Sequence, residues 1–158
     1  MAHELLDETM FYVGDTPWHK LGVKLPNPPT IKEAIMHGNL DWEVKKVPTY
    51  YSGKTNFGIF RPTAEMPTGY FVTIRRDKTG NWYPLGHVSE RYEVLQNADA
   101  FEPFKVLLDK GYTLETAGAI DSGKRVWILA KKPSVHMVGD DKLLQYAVLM
   151  NSHDGSTP

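Results

Sequence analysis

The chain has 158 residues and a net charge of −1, with 41% hydrophobic and 23% charged side chains. This is the usage of a globular domain able to bury roughly two-thirds of its unfolded surface around a single core. Near-zero net charge excludes a surface that clings to polyanions everywhere, and the absence of cysteine removes disulfides, thiolate nucleophiles and thiolate metal sites together.

Residues 1–29 are punctuated by Gly14, Pro17, Gly22, Pro26, Pro28 and Pro29, too often for a long helix, and are expected to wrap the domain as an irregular, extended arm. Thr30 followed by Glu33 has the form of a capping box. Ile31, Ala34 and Ile35 share a helical face, and Gly38 is placed to stop the helix. From Trp42 to Tyr51 the pattern turns to alternation, but Pro48 lacks the donor that a central strand needs, so this strand is assigned to a sheet edge. Phe57–Phe60, Gly69–Arg75 and Trp82–Val88 read as short strands, the last two joined by a bend at Asp77–Asn81, and together predict a meander. Asn97 or Asp99 is positioned to cap a helix running to about Lys110, with Phe101, Phe104, Leu107 and Leu108 buried and Gly111 at its stop. Tyr112–Ile120 and Lys124–Lys132 form a hairpin through Asp121-Ser122-Gly123, with Val126, Ile128 and Ala130 opposing Arg125, Trp127 and Leu129. Leu143–Met150 supplies a last strand. Short strands, two amphipathic helices and no regular β-α-β alternation predict a single α+β domain with a mainly antiparallel sheet. A last strand without a neighbour exposes backbone donors and acceptors, which predicts self-association or pairing with another chain through that edge.

The charge is unevenly spread: 3 basic and 7 acidic residues over Met1–Glu43, 8 and 3 over Val44–Arg91, 7 and 9 over Tyr92–Pro158. In the basic middle, cations alternate with rings: Lys45-Lys46 after Trp42, Arg75-Arg76 after Tyr70-Phe71, Trp82-Tyr83 beyond, and Arg91 beside Tyr92. Cations that track phosphates and rings that stack on bases are the two elements of a single-strand-binding sheet face. Lys45, Lys46, Arg75, Arg76, Trp82, Arg91 and Tyr92 are therefore the candidate nucleic-acid contacts. The ordinary alternative is a sheet with aromatics inside and lysines outside.

Other chemistry finds little footing. Gly53-Lys54-Thr55 resembles the tail of a phosphate-binding loop, but Pro48 stands where the first glycine belongs and offers no N–H, so a turn is the reading. The six histidines include no pair spaced for a helical or knuckle-type metal site, and neither a metal nor a cofactor is assigned. No carboxylate dyad and no serine-nucleophile elbow is present, so no catalytic residue is proposed. Glu115 has two readings, an inward acid near Arg125 or Arg91 and an exposed cross-strand pair with Lys124 or Arg125. His153-Asp154 is read as a turn, with Asp154 and Ser152 bonding nearby backbone and Gly155 in a special conformation, against a catalytic alternative. Met1–Met10 carries acidic residues and no apolar run, and Val126–Ala130 is too short to span a bilayer. Neither an export signal nor a membrane anchor is read, and a cytoplasmic location is the expectation.

Four strings recur along the chain: Thr16-Pro17-Trp18-His19-Lys20-Leu21-Gly22; Glu90-Arg91-Tyr92 with Gln96-Asn97; Leu114-Glu115-Thr116-Ala117-Gly118-Ala119 through Gly123-Lys124-Arg125-Val126-Trp127; and Asn151-Ser152-His153-Asp154-Gly155-Ser156. In this order and spacing the chain resembles the phage/plasmid-like protein family built on the domain of unknown function numbered 932. The resemblance implies that Trp18, His19, Gly22, Arg91, Tyr92, Gln96, Asn97, Glu115, Gly118, Arg125, Trp127, Asn151, Ser152, His153 and Asp154 are motif positions, without assigning any of them a role. Members of that family usually run past the Asn151–Ser156 string. The chain thus looks like the N-terminal portion of a longer protein, a natural short form or a trimmed chain.

The implied setting is mobile genetic elements, where a protein that handles single strands in replication or recombination is useful. The alternative is a protein-interaction module, such as a host-takeover, anti-defence or assembly subunit, with no nucleic-acid role.

Overall fold

The structure, a computed structural model, describes residues 5–17, 20–53 and 64–156. Among these residues ten strands form a five-stranded sheet, a three-stranded sheet and a two-stranded ribbon, with three short helices between them, an α+β fold. The first surprise is the opening segment. Leu5–Val13 (β1), expected to be an arm, lies inside the large sheet, antiparallel to Thr113–Ile120 (β6) on one side and parallel to Val23–Leu25 (β2) on the other. Glycine and proline break up only residues 14–29. The residues before them include Met10 and Phe11, which are buried in the core, and burial of those side chains outweighs the nearby breakers.

The first helix (α1, Ile31–His37) follows its capping box, with Thr30 accepting from the Glu33 amide and the Glu33 side chain accepting from Thr30 N–H. It stops at Gly38, as expected, without a left-handed glycine. Gly38 stays in the right-handed region, and Asn39 takes the positive φ, 51°. Glycine is needed at 38 for space, since a Cβ there would meet the Ala34 carbonyl oxygen at 2.9 Å.

Val44–Gly53 (β3) is the edge strand expected, with a register irregularity at Pro48/Tyr50, and pairs with Ala64–Arg76 (β4), which pairs in turn with Trp82–Val88 (β5). The strand expected at Phe57–Phe60 and the Lys54-Thr55 turn lie outside the described residues. The helix expected from residue 97 to 110 is instead two pieces, Asn97–Phe101 (α2) and Phe104–Asp109 (α3), because Pro103 cannot donate in a continuous helix. Neither Asn97 nor Asp99 caps it. Gln96 holds the N-cap position without a side-chain cap bond, while Gly111 ends it at φ 85° as expected.

β6 turns through a single 3-10 turn, Asp121–Gly123, into Arg125–Lys131 (β7). The short ribbon His136–Val138 (β8) and Asp141–Leu143 (β9) follows, which the sequence reading did not separate from the final strand, Tyr146–Ser152 (β10). β10 forms one edge of the large sheet, in the order β10-β7-β6-β1-β2. One core joins everything: Phe11, Leu114, Ala117 and Ile128 from the large sheet, Ala34, Phe101 and Phe104 from the helices, and Val44 and Leu85 from the small sheet. No helix among the described residues is long and apolar enough to cross a membrane.

The two sheets are joined where the chain leaves β10. There it crosses Gly86 so closely that a Cβ on Gly86 would sit 2.5 Å from the Asp154 Cβ and 2.7 Å from its Cα. Gly86→Ala is expected to destabilise the fold by roughly 2–3 kcal/mol through overpacking. Gly139→Asn, at a positive-φ ribbon turn with open space around it, should be near neutral. Urea denaturation of both variants checks the contrast.

Candidate nucleic-acid interface and the buried histidine junction

Two sets of candidate residues separate in space. In a strand, successive side chains face opposite sides, so each pair of neighbouring cations is divided. Arg75 and Thr73 are buried on the inner face of the small sheet, whereas Arg76 is exposed on the other. Lys45 is exposed and Lys46 is half-buried.

On the outer face Arg76 pairs with Trp82 across β4 and β5, and Lys45 lies opposite Ile74 on the β3 side. Trp82 is 43% exposed. The Lys45 Nζ stands 5.4 Å from the centre of its ring and the Arg76 guanidinium 5.6 Å, a cation–π arrangement on both counts. Further along β4 on this face Tyr70 is 65% exposed, and His87 is exposed opposite Val72. Carboxylates interrupt the positive field: Glu43 lies 3.3 Å from Lys45 Nζ, and Asp41 and Asp77 share a surface hollow with Arg76.

Two of the other basic candidates, Arg75 and Lys46, are occupied within the fold. Arg75 is sandwiched between Trp42 and Tyr83, 5.7 and 4.6 Å from the ring centres, and its Nε donates to the Ser122 carbonyl at 2.8 Å, tying the small sheet to the turn of the large one. Lys46 donates to the carbonyls of Glu90 and Tyr92 at 2.6 and 2.7 Å and lies over the Phe71 ring. A cavity of about 220 Å³ beside Arg75 is lined also by Lys78 and Asp77. Arg91 is exposed in the turn after β5. Tyr92 is half-buried, with its hydroxyl donating to the Ser152 carbonyl at 2.8 Å, and its ionisation is pushed up by burial and by the nearby Asp154 charge. The small-sheet platform thus reduces to Lys45, Arg76 and Trp82, and neither Lys46 nor Arg75 belongs to it.

The motif residues of the last string converge elsewhere. His153 is fully buried, its ring 5.3 Å from Trp42 in an edge-on arrangement and its Nε2 2.8 Å from the Asn97 Oδ1. Asn97 donates through Nδ2 to the Leu40 carbonyl, so its Oδ1 must accept, and Nε2 of His153 carries the proton. The imidazole is then neutral, and burial pushes its pKa down to about 4 against the raising influence of Asp154. Its Nδ1 and the Trp42 Nε1 are buried without a hydrogen-bond partner among the described residues.

The backbone is fixed as firmly. His153 N–H donates to the Lys124 carbonyl at 2.7 Å, and the Thr73 hydroxyl donates to the His153 carbonyl. Around it Gln96 both donates to and accepts from the Val44 backbone, and Asn151 Nδ2 reaches the Leu95 carbonyl. Asp154 accepts from the Ser156 amide, and Gly155 takes φ 75°. Burial would raise the Asp154 pKa, but the bonds from Ser156 and the nearby Arg125 hold it below the usual carboxylate range.

Glu115 corrects both of its sequence readings. It lies 3.3 Å from Lys131 rather than near Arg91, Lys124 or Arg125, because it stands at the open end of the hairpin while Arg125 pairs with Ile120 at the turn. Arg125 instead lies 3.6 Å from Asp121. Trp127 is half-buried on the face of β7 opposite to the core, across from Gly118 and Met150. Trp18 and His19 lie outside the described residues. Thr73, Trp42 and Gly86 were missed by sequence reasoning as partners of the motif, because each is far from it along the chain. No group of three or more metal-ligating side chains occurs among the described residues.

A histidine with a folded pKa of about 4 against an ordinary 6.5 leaves the folded state binding fewer protons than the unfolded one. Its stabilising contribution is full above about pH 6.5 and is lost as pH falls towards 4. Denaturation midpoints converted to free energy should fall by about 2 kcal/mol between pH 7 and pH 5. In His153→Gln that pH dependence should be largely absent from an already weakened protein.

No curated protein and no solved structure matches the chain. Residues 84–158, a segment that contains His153, Asn97 and Gly86 of the junction but not Trp42 or Thr73, and none of Lys45, Arg76 and Trp82, match the family described as Domain of unknown function (DUF932). Over that segment, a little under half of its length, the chain is similar to this family.

Proposed function

We propose that the chain binds single-stranded nucleic acid on the outer face of its three-stranded sheet. One observation carries the reading: an exposed indole, Trp82, on the edge strand of the small sheet, with two exposed cations, Lys45 and Arg76, beside its ring on the other two strands. The indole supplies a stacking surface for a base, and the cations lie where an adjoining phosphate would run. Exposed Tyr70 lies six residues from Arg76 along the same strand face, roughly 20 Å away, and offers a second ring. Such binding would be independent of sequence, since rings and cations stack and neutralise without reading base edges. The phage and plasmid setting implied by the resemblance, in which single strands arise during replication and recombination, agrees with this role.

Fluorescence anisotropy with a labelled single-stranded oligonucleotide tests the reading. Trp82→Ala should cost roughly 1–3 kcal/mol of binding. Lys45→Ala and Arg76→Ala should each weaken it and flatten the salt dependence by about 0.7 in the log–log slope. Glu43→Gln, which removes the opposing carboxylate beside Lys45, should tighten it. Lys131→Ala, on the other sheet, should change nothing. Absence of binding at low salt, or equal losses from all five substitutions, overturns the proposal.

A further inference from the structure

We propose that the chain self-associates through β10, two copies joining their five-stranded sheets edge to edge by antiparallel pairing of Ala147–Asn151 with the same segment of a second copy, short of Ser152, whose carbonyl Tyr92 already occupies. The inference is independent of the nucleic-acid reading, because it concerns the other sheet.

β10 pairs with β7 from Tyr146↔Lys131 to Ser152↔Arg125 without a register shift, and on its far side no described strand pairs with it. Edges that must stay single are blunted by charges, proline, bulges or short length. The opposite edge of this sheet is treated in that way, since β2 has only three residues and is followed by Pro26 and Pro28. β10 has none of these devices. It is a regular seven-residue strand with neither a charged residue nor a proline.

The side chains say what the occupant must be. Inward, Ala147 and Leu149 pack against the core; outward, Tyr146, Val148 and Met150 are 43%, 59% and 51% exposed. A strand added here must be apolar on both faces and must bring no charge against them. Among the described strands longer than three residues, β10 itself is the one free of both charge and proline. A two-fold axis at Leu149 sets Val148 opposite Met150 and Ala147 opposite Asn151, so the strand is its own complement.

Half of the exposed large apolar side chains among the described residues fall between Val135 and Met150: the three on β10, with Val135, Met137, Val138, Leu143 and Leu144 in or beside the ribbon that precedes it.

Sedimentation analysis of the whole chain across a range of concentrations tests this. Wild type should dimerise, and Val148→Lys, which places charges close to the axis at an exposed position, should be monomeric with an unchanged circular dichroism spectrum. Amide hydrogen exchange on wild type gives a second reading that needs no variant: protection of residues 147–151 should rise with protein concentration while that of β3 and β4 stays constant. A wild-type monomer at high micromolar concentration, a dimer that survives Val148→Lys, or protection at β10 that does not depend on concentration overturns the proposal.

Discussion

Everything in this molecule turns on a neutral imidazole in the core. His153 lies where the last strand of the large sheet runs out over the small one, and the chain is held there by bonds from its ring and from both backbone groups. A charged group could not stay in that position without a partner for its charge. Asn97 provides an oxygen for one ring nitrogen, Trp42 provides an edge, and Gly86 provides the space for Asp154 next door. With that junction in place the small sheet is fixed against the large one, Arg75 can reach the Ser122 carbonyl, and Thr73 can be buried with its hydroxyl satisfied. The motif residues Tyr92, Gln96, Asn97, Asn151 and His153 are thereby fold determinants, each joined to the backbone or side chain of another element.

The same pleat that builds the sheet sorts its cations. Lys45 and Lys46 are neighbours, as are Arg75 and Arg76, and in each pair one member is exposed while the other is drawn into the fold. The inward members cover rings and fill backbone carbonyls, which satisfies charged groups that would otherwise be costly to bury. The outward members are left to act on solvent, and both stand over Trp82. A charge count along the chain treats the four alike. Their physical roles differ because of a 2-residue period.

The two sheets therefore present different surfaces. The small one offers a polar, cationic face with rings set into it. The large one has its inner face sealed by the helices, while its β10 edge and the ribbon before it carry uncharged apolar side chains into water. Exposed apolar groups concentrated in one segment are the mark of a surface that meets another surface.

By itself the sequence determined the local elements: the capping box at Thr30, the edge strand carrying Pro48, the β5 limits at Trp82 and Val88, and the alternation of Val126, Ile128 and Ala130. These follow from short-range chemistry, from dihedral preference, missing donors and side-chain period, and a linear reading contains all of it. Tertiary structure alone decided that β1 is an internal strand, that Glu115 meets Lys131, and that only one cation of each pair faces outward. It also brought Thr73, Asn97 and Trp42 around His153. Those outcomes depend on strand register and on which face of a sheet is covered, and both are set by contacts between residues tens of positions apart that no local pattern encodes.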